Sequence, residues 1–129
     1  MKLRQSILLF AVMLAAGCHT GPVVIPADLG AAESFQRAQD AADNGNYTLA
    51  IRYYSTFLQN HPENKDRGAW AQYEIAFNYH KMGRNATALT YLDQLLQQYQ
   101  PGDDTLPAAP RILAQKLKDR LSVMVTGAK

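Results

Sequence analysis

The heptapeptide Gly45-Asn46-Tyr47-Thr48-Leu49-Ala50-Ile51 returns 38 residues later as Gly83-Arg84-Asn85-Ala86-Thr87-Ala88-Leu89. The same offset pairs Ala38 with Ala76, Ala50 with Ala88, Tyr53 with Tyr91, Leu58 with Leu96 and Gln59 with Gln97. It also sets an aromatic, Tyr73, opposite Phe35. A fixed period of this size is the signature of stacked helical hairpins, none of which can bury its apolar face alone. Two hairpins are few for a continuous core, so the period also predicts a covering element at the open end.

Outward from that echo the chain reads as helices, with no β-type alternation. Residues 31–43 are rich in alanine, and Phe35, Ala38, Ala41 and Ala42 recur at helical spacing before Asn44-Gly45-Asn46 stops them. A second helix is predicted over about 47–59, with Tyr47, Ala50, Ile51, Tyr54, Phe57 and Leu58 on one face. Asn60-His61-Pro62 ends it, since a residue before proline is pushed out of the α region. A polar linker over 63–68 leads to a third helix at about 69–81, and a fourth follows at about 85–99. Ala88, Leu89, Leu92, Leu95, Leu96 and Tyr99 form the apolar face of that fourth helix. Beyond the breaker-rich stretch 100–107, a last helix is expected over about 108–125. Pro110 falls in its first turn, and Leu113, Leu117, Leu121 and Met124 form its stripe. The expected class is all-α: two hairpin repeats, about 31–62 and 69–101, and a C-terminal capping helix within a domain spanning 31–129.

The N-terminus has a different character. Lys2 and Arg4 precede an apolar run of ten residues, Ile7 to Ala16. That run is shorter than the roughly 20 helical residues a bilayer crossing needs, and residues 1–17 therefore read as a cleaved export signal. The chain's single cysteine, Cys18, comes next and leaves no partner within the chain for a disulfide. Residues 18–30, with Pro22, Pro26, Gly21 and Gly30, are expected to form an extended, flexible tether.

Two family resemblances rest on these residues. Ala15-Ala16-Gly17-Cys18 resembles the lipobox of bacterial lipoproteins, with Ala15 where that family most often carries leucine. The resemblance implies that Cys18 is lipidated (palmitate among its acyl chains) and becomes the mature N-terminus, held at a membrane of the cell envelope. An aspartate after the cysteine would resemble an inner-membrane retention signal. His19 stands there instead, which implies the outer membrane, facing the periplasm.

Ala38, Gly45, Tyr47, Ala50 and Pro62, with Ala76, Tyr79, Gly83 and Ala88, resemble two tetratricopeptide repeats over about residues 31–101. In that family the small alanines let helix A lie close to helix B, and the glycine makes the turn between them. The aromatic that covers the turn is supplied by Tyr47 but not by Asn85, and the terminal proline at Pro62 slips by one residue to Pro101. The 38-residue spacing exceeds the usual period of about 34. It is similar to the repeat lipoproteins of bacterial envelope assembly machines. What the resemblance implies is a non-enzymatic adaptor whose partner is another envelope protein or a peptide segment.

Trp70, Tyr73, Phe77 and His80 sit at i, i+3, i+7 and i+10 on the third helix. By resemblance to the family they point toward the concave groove, while Ala69, Gln72, Ile75, Ala76 and Tyr79 face helix B. Aromatic side chains suit a peptide-binding surface because they supply much area at little entropic cost. The other reading is that the first hairpin buries this stripe as core. Both stand open at the level of sequence.

Charge narrows the function classes. The chain is +2, but without the two basic residues of the signal it holds 11 basic and 11 acidic groups, so the global footprint of a nucleic-acid binder is absent. Residues 28–104 carry six basic and ten acidic side chains; residues 111–129 carry Arg111, Lys116, Lys118, Arg120 and Lys129 against Asp119 alone. Such a helix is either a solvated cap or a contact for anionic headgroups or an acidic patch. His19, His61 and His80 are scattered without ligand spacing, so neither a metal nor a cofactor beyond the lipid on Cys18 is expected. No nucleophile elbow or phosphate-type glycine loop occurs, and Asp103-Asp104 reads as a solvated loop. The glycosylation-like triplets at Asn46 and Asn85 read as helix caps or turns. The expectation is a lipid-anchored adaptor without enzymatic activity. The alternative is a structural accessory that self-associates through its exposed repeat end as a homo-oligomer.

Overall fold

Gly45 and Gly83 adopt the same left-handed backbone, φ 74° and 75°, and close two hairpins in the same way. In the first, the Gly45 and Asn46 N–H groups donate to the carbonyls of Ala42 and Ala41; in the second, Gly83 and Arg84 donate to His80 and Tyr79. This paired arrangement satisfies the last carbonyls of a helix while reversing the chain, and glycine enters it without the Cβ penalty. The computed structural model of the chain describes residues 21–102 and 104–127. Within them lie five helices, α1 (Ala31–Asp43), α2 (Tyr47–Asn60), α3 (Lys65–Lys81), α4 (Asn85–Leu96) and α5 (Ala108–Thr126). No strand occurs among the described residues. The expected signal segment (residues 1–17), Cys18, His19, Asp103 and Lys129 lie outside them.

The molecule is an all-α solenoid: α1 packs on α2, α2 on α3, α3 on α4, and α5 covers the far end against α4 and α3. Ala38, Ala50, Ala76 and Ala88 are all fully buried, so the small side chains sit where helix A meets helix B. Two apolar clusters result. One joins Leu29, Ala38, Tyr53, Tyr54 and Phe57 to Ala71 and Ile75 of α3. The other joins Ala69 and Ala76 of α3 to Ala88, Leu92 and Leu95 of α4 and Ala114, Leu117 and Leu121 of α5. Helix α3 belongs to both, and the Tyr79 and Tyr91 rings, 5.1 Å apart and nearly parallel, pack against both.

Four expectations are corrected. The third helix starts at Lys65 rather than near Ala69, because the Asn64 carboxamide accepts from the Arg67 N–H and converts four of the six residues of the supposed linker into a first turn. Gly68 then lies inside the helix, where a Cβ would come within 3.7 Å of Leu58 of α2. The fourth helix ends at Leu96; Gln98 and Tyr99 turn off with three-residue hydrogen bonds, and the Tyr99 hydroxyl donates to the Pro107 carbonyl. Helix α5 buries Pro110, Ala114, Leu117 and Leu121, leaving Leu113 and Met124 of the expected stripe exposed.

The tether is the fourth. Residues 21–30 are non-helical, as their prolines dictate, but they are not free. The side chains of Arg52 and Asn60 donate to the Val23 and Ala27 carbonyls, at 2.9 and 2.8 Å. The His61 ring nitrogen Nε2 donates to the Leu29 carbonyl at 3.2 Å, and Leu29 itself is buried in the first cluster. The segment is thereby laid along α2.

Candidate partner-binding groove

Helices α1 and α3 leave a groove between them. Toward the C-terminal ends of the two helices it opens to a cavity of about 620 Å³ bordered by Asp40, Asp43, Tyr47, Phe77 and Lys81. Toward their N-terminal ends a second cavity of about 480 Å³ is bordered by Phe35, Asp66, Arg67 and Trp70. Gln36, Gln39 and Glu74 line both and therefore stand at the middle.

The four aromatic and histidine candidates divide. All four are half-buried and form a chain of ring contacts along α3, with Trp70 to Tyr73 at 6.4 Å, Tyr73 to Phe77 at 6.1 Å and Phe77 to His80 at 6.2 Å. Trp70 and Phe77 line the groove, one on each cavity. Tyr73 borders neither cavity. It packs on the cluster of α4 and α5, as Phe77 also does with its other side, and its phenol feels the Arg120 charge of α5. Burial pushes that phenol up, with the Glu74 carboxylate adding to the rise and Arg120 opposing it. His80 is directed to the hairpin, where its Nδ1 donates to the Asn85 carboxamide oxygen at 2.9 Å. Asn85 thus closes its turn by a hydrogen bond, whereas Tyr47, at the equivalent place, lies under the Lys81 ammonium at 6.0 Å.

The sequence-derived stripe omitted the residue at the centre. The face of α3 that borders the groove reads Arg67, Trp70, Glu74, Phe77 and Lys81, at i, i+3, i+7, i+10 and i+14. Glu74 is half-buried, and no hydrogen bond or ion pair reaches its carboxylate among the described residues. Burial raises its carboxyl above the ordinary glutamate value. A search for apolar periodicity passes over a charged residue, which is why it stayed hidden. The available signal was a glutamate flanked by Trp70 and Phe77 on one helical face.

A family model described as Tetratricopeptide repeat matches residues 27–64 and 70–100. The chain belongs to the tetratricopeptide repeat family. Comparison with curated proteins and with solved structures finds no match. In tetratricopeptide terms α1 and α3 are the A helices and α2 and α4 the B helices, so the groove described above runs between successive A helices. Tetratricopeptide repeats generally mediate protein–protein interaction and are typically non-catalytic. The first matched repeat begins at residue 27 and so includes Leu29. Among the described residues no three His, Cys, Asp or Glu side chains are grouped to hold a metal, and no helix is long and apolar enough to cross a membrane.

Proposed function

We propose that this chain is a lipid-anchored, non-enzymatic adaptor of the bacterial cell envelope, serving the assembly of an outer-membrane complex. Its groove between α1 and α3 holds a segment of a partner protein. The observation that carries this reading is the pair of half-open aromatic side chains, Trp70 and Phe77, each lining a cavity between the A helices of adjoining tetratricopeptide repeats. Anchoring at Cys18 rests on the Ala15–Cys18 pattern and the apolar run before it. The course of residues 23–29 agrees with such a use: they run along α2, on a B helix, and leave the groove of the A helices unobstructed.

Site-specific photocrosslinking in cells tests the reading. A crosslinker at Gln39, in the groove, is expected to trap a discrete partner, whereas one at Gln94, an exposed position on α4, is not. Trp70→Ser/Phe77→Ser is expected to lose the adduct while retaining the helical signal of the wild type. Equal adducts from both positions, or none from Gln39, would remove the groove from consideration. Labelling with an alkyne fatty acid, present in the wild type and absent in Cys18→Ser, tests the anchor separately.

A second reading has its own observation. Ile112, Leu113, Val123, Met124 and Val125 of α5 are exposed, which suits a self-associating end. A protein that stays monomeric at high concentration would count against it.

A further inference from the structure

Resting on the groove reading above, we infer that the groove selects an extended segment bearing one lysine or arginine at its centre, flanked two residues away on each side by apolar side chains. Glu74 is the determinant. It lines both cavities, lies midway between Arg67 and Lys81 along α3, and is roughly 10 Å of helix rise from each. Neither cation forms an ion pair with it. Among the described residues the groove therefore presents a half-buried carboxylate with no ion-pair partner, and its rim carries three further acids, Asp40, Asp43 and Asp66, against the two cations Arg67 and Lys81. A partner's cation placed there would meet a carboxylate already withdrawn from water, whereas an acidic segment would meet repulsion.

The aromatic flanks fix the rest of the pattern. Trp70 and Phe77 stand one helical turn to either side of Glu74, about 6 and 4.5 Å along the axis. Alternate residues of an extended chain point to the same side at about 6.6–6.8 Å. A basic residue over Glu74 thus brings its neighbours at −2 and +2 toward the two rings. The span from Arg67 to Lys81, about 21 Å, accommodates about six extended residues. Among the other polar lining groups, the Gln39 carboxamide is suited to bonding a backbone that has no sheet partner, while that of Gln36 already donates to Asp40 at 2.9 Å.

The experiment is selection of a random heptapeptide library on the purified mature protein, followed by binding of the enriched peptide measured by fluorescence polarisation. The expected consensus is apolar-x-basic-x-apolar. Glu74→Gln, which keeps the shape of the side chain, is expected to weaken that peptide about tenfold. It should change the binding of a peptide with norleucine at the centre less than twofold. Peptides that compete at the groove and fail with Trp70→Ser, yet show no basic preference and no response to Glu74→Gln, would overturn this inference while leaving the groove reading intact. No enrichment, or enriched peptides indifferent to Trp70→Ser, would remove both. A groove occupied by the basic face of α5 from a second copy would also overturn it. That case would appear as a concentration-dependent mass lost in Lys116→Glu/Arg120→Glu.

Discussion

Glu74 shows at the scale of one residue how position on a helix sets the environment of a charge. Its neighbours Trp70 and Phe77 make the groove wall, and α1 closes over it far enough to withdraw the carboxylate from water. A glutamate whose folded pKa is raised binds protons more readily when folded than when unfolded, so ionising it costs stability. Replacing it by glutamine removes that cost. In urea melts across a pH series, Glu74→Gln is expected to gain stability relative to the wild type as pH rises above about 4.3, the unfolded glutamate value. The gain should level off once pH passes the raised folded value. A difference that shrinks toward neutral pH would contradict the burial of an unpaired charge.

At the scale of the element, α5 explains why the array stops behaving as a repeat. The 38-residue step runs from Ala38 to Ala76 and once more to Ala114, and all three are fully buried. The same step carries Gly45 to Gly83 and then to Leu121, a buried leucine with no turn to make. The helix therefore runs on for 19 residues and becomes a cap instead of the first arm of a third hairpin. Lys118 ties it to Asp93 of α4 at 2.6 Å. Leu121→Ala is expected to destabilise the domain by about 2–5 kcal/mol, the range for emptying a buried leucine site. Leu113→Ala, at a site 37% exposed, is expected to cost less than about 1 kcal/mol by the same chemical denaturation. Equal losses would mean that the sequence-derived stripe, and not the observed face, packs on α4.

At the scale of the whole molecule, α3 holds the two clusters together. It gives Ala71 and Ile75 to one and Ala69 and Ala76 to the other, so neither can dissolve without exposing it. Repeat arrays couple through such nearest-neighbour interfaces. Unfolding is therefore expected as one transition, with the fluorescence of Trp70, the only tryptophan, coinciding with loss of far-UV helical signal. Two separated transitions would show that the hairpins unfold independently.

The sequence by itself determined what is local. Glycines 45 and 83 specify the two turns, and alanines 38, 50, 76 and 88 specify close helix approach. Both follow from side-chain size and backbone freedom, which need no partner to be read. The tertiary structure decided what depends on neighbours. Helix α3 is packed on opposite sides, so its apolar residues surround much of its axis and their period cannot show which strip stays open. That strip, with Glu74 at its middle, emerges only when α1 takes its place beside α3. Leu29 and the Val23 and Ala27 carbonyls likewise find partners about 30 residues away, a distance no local pattern encodes.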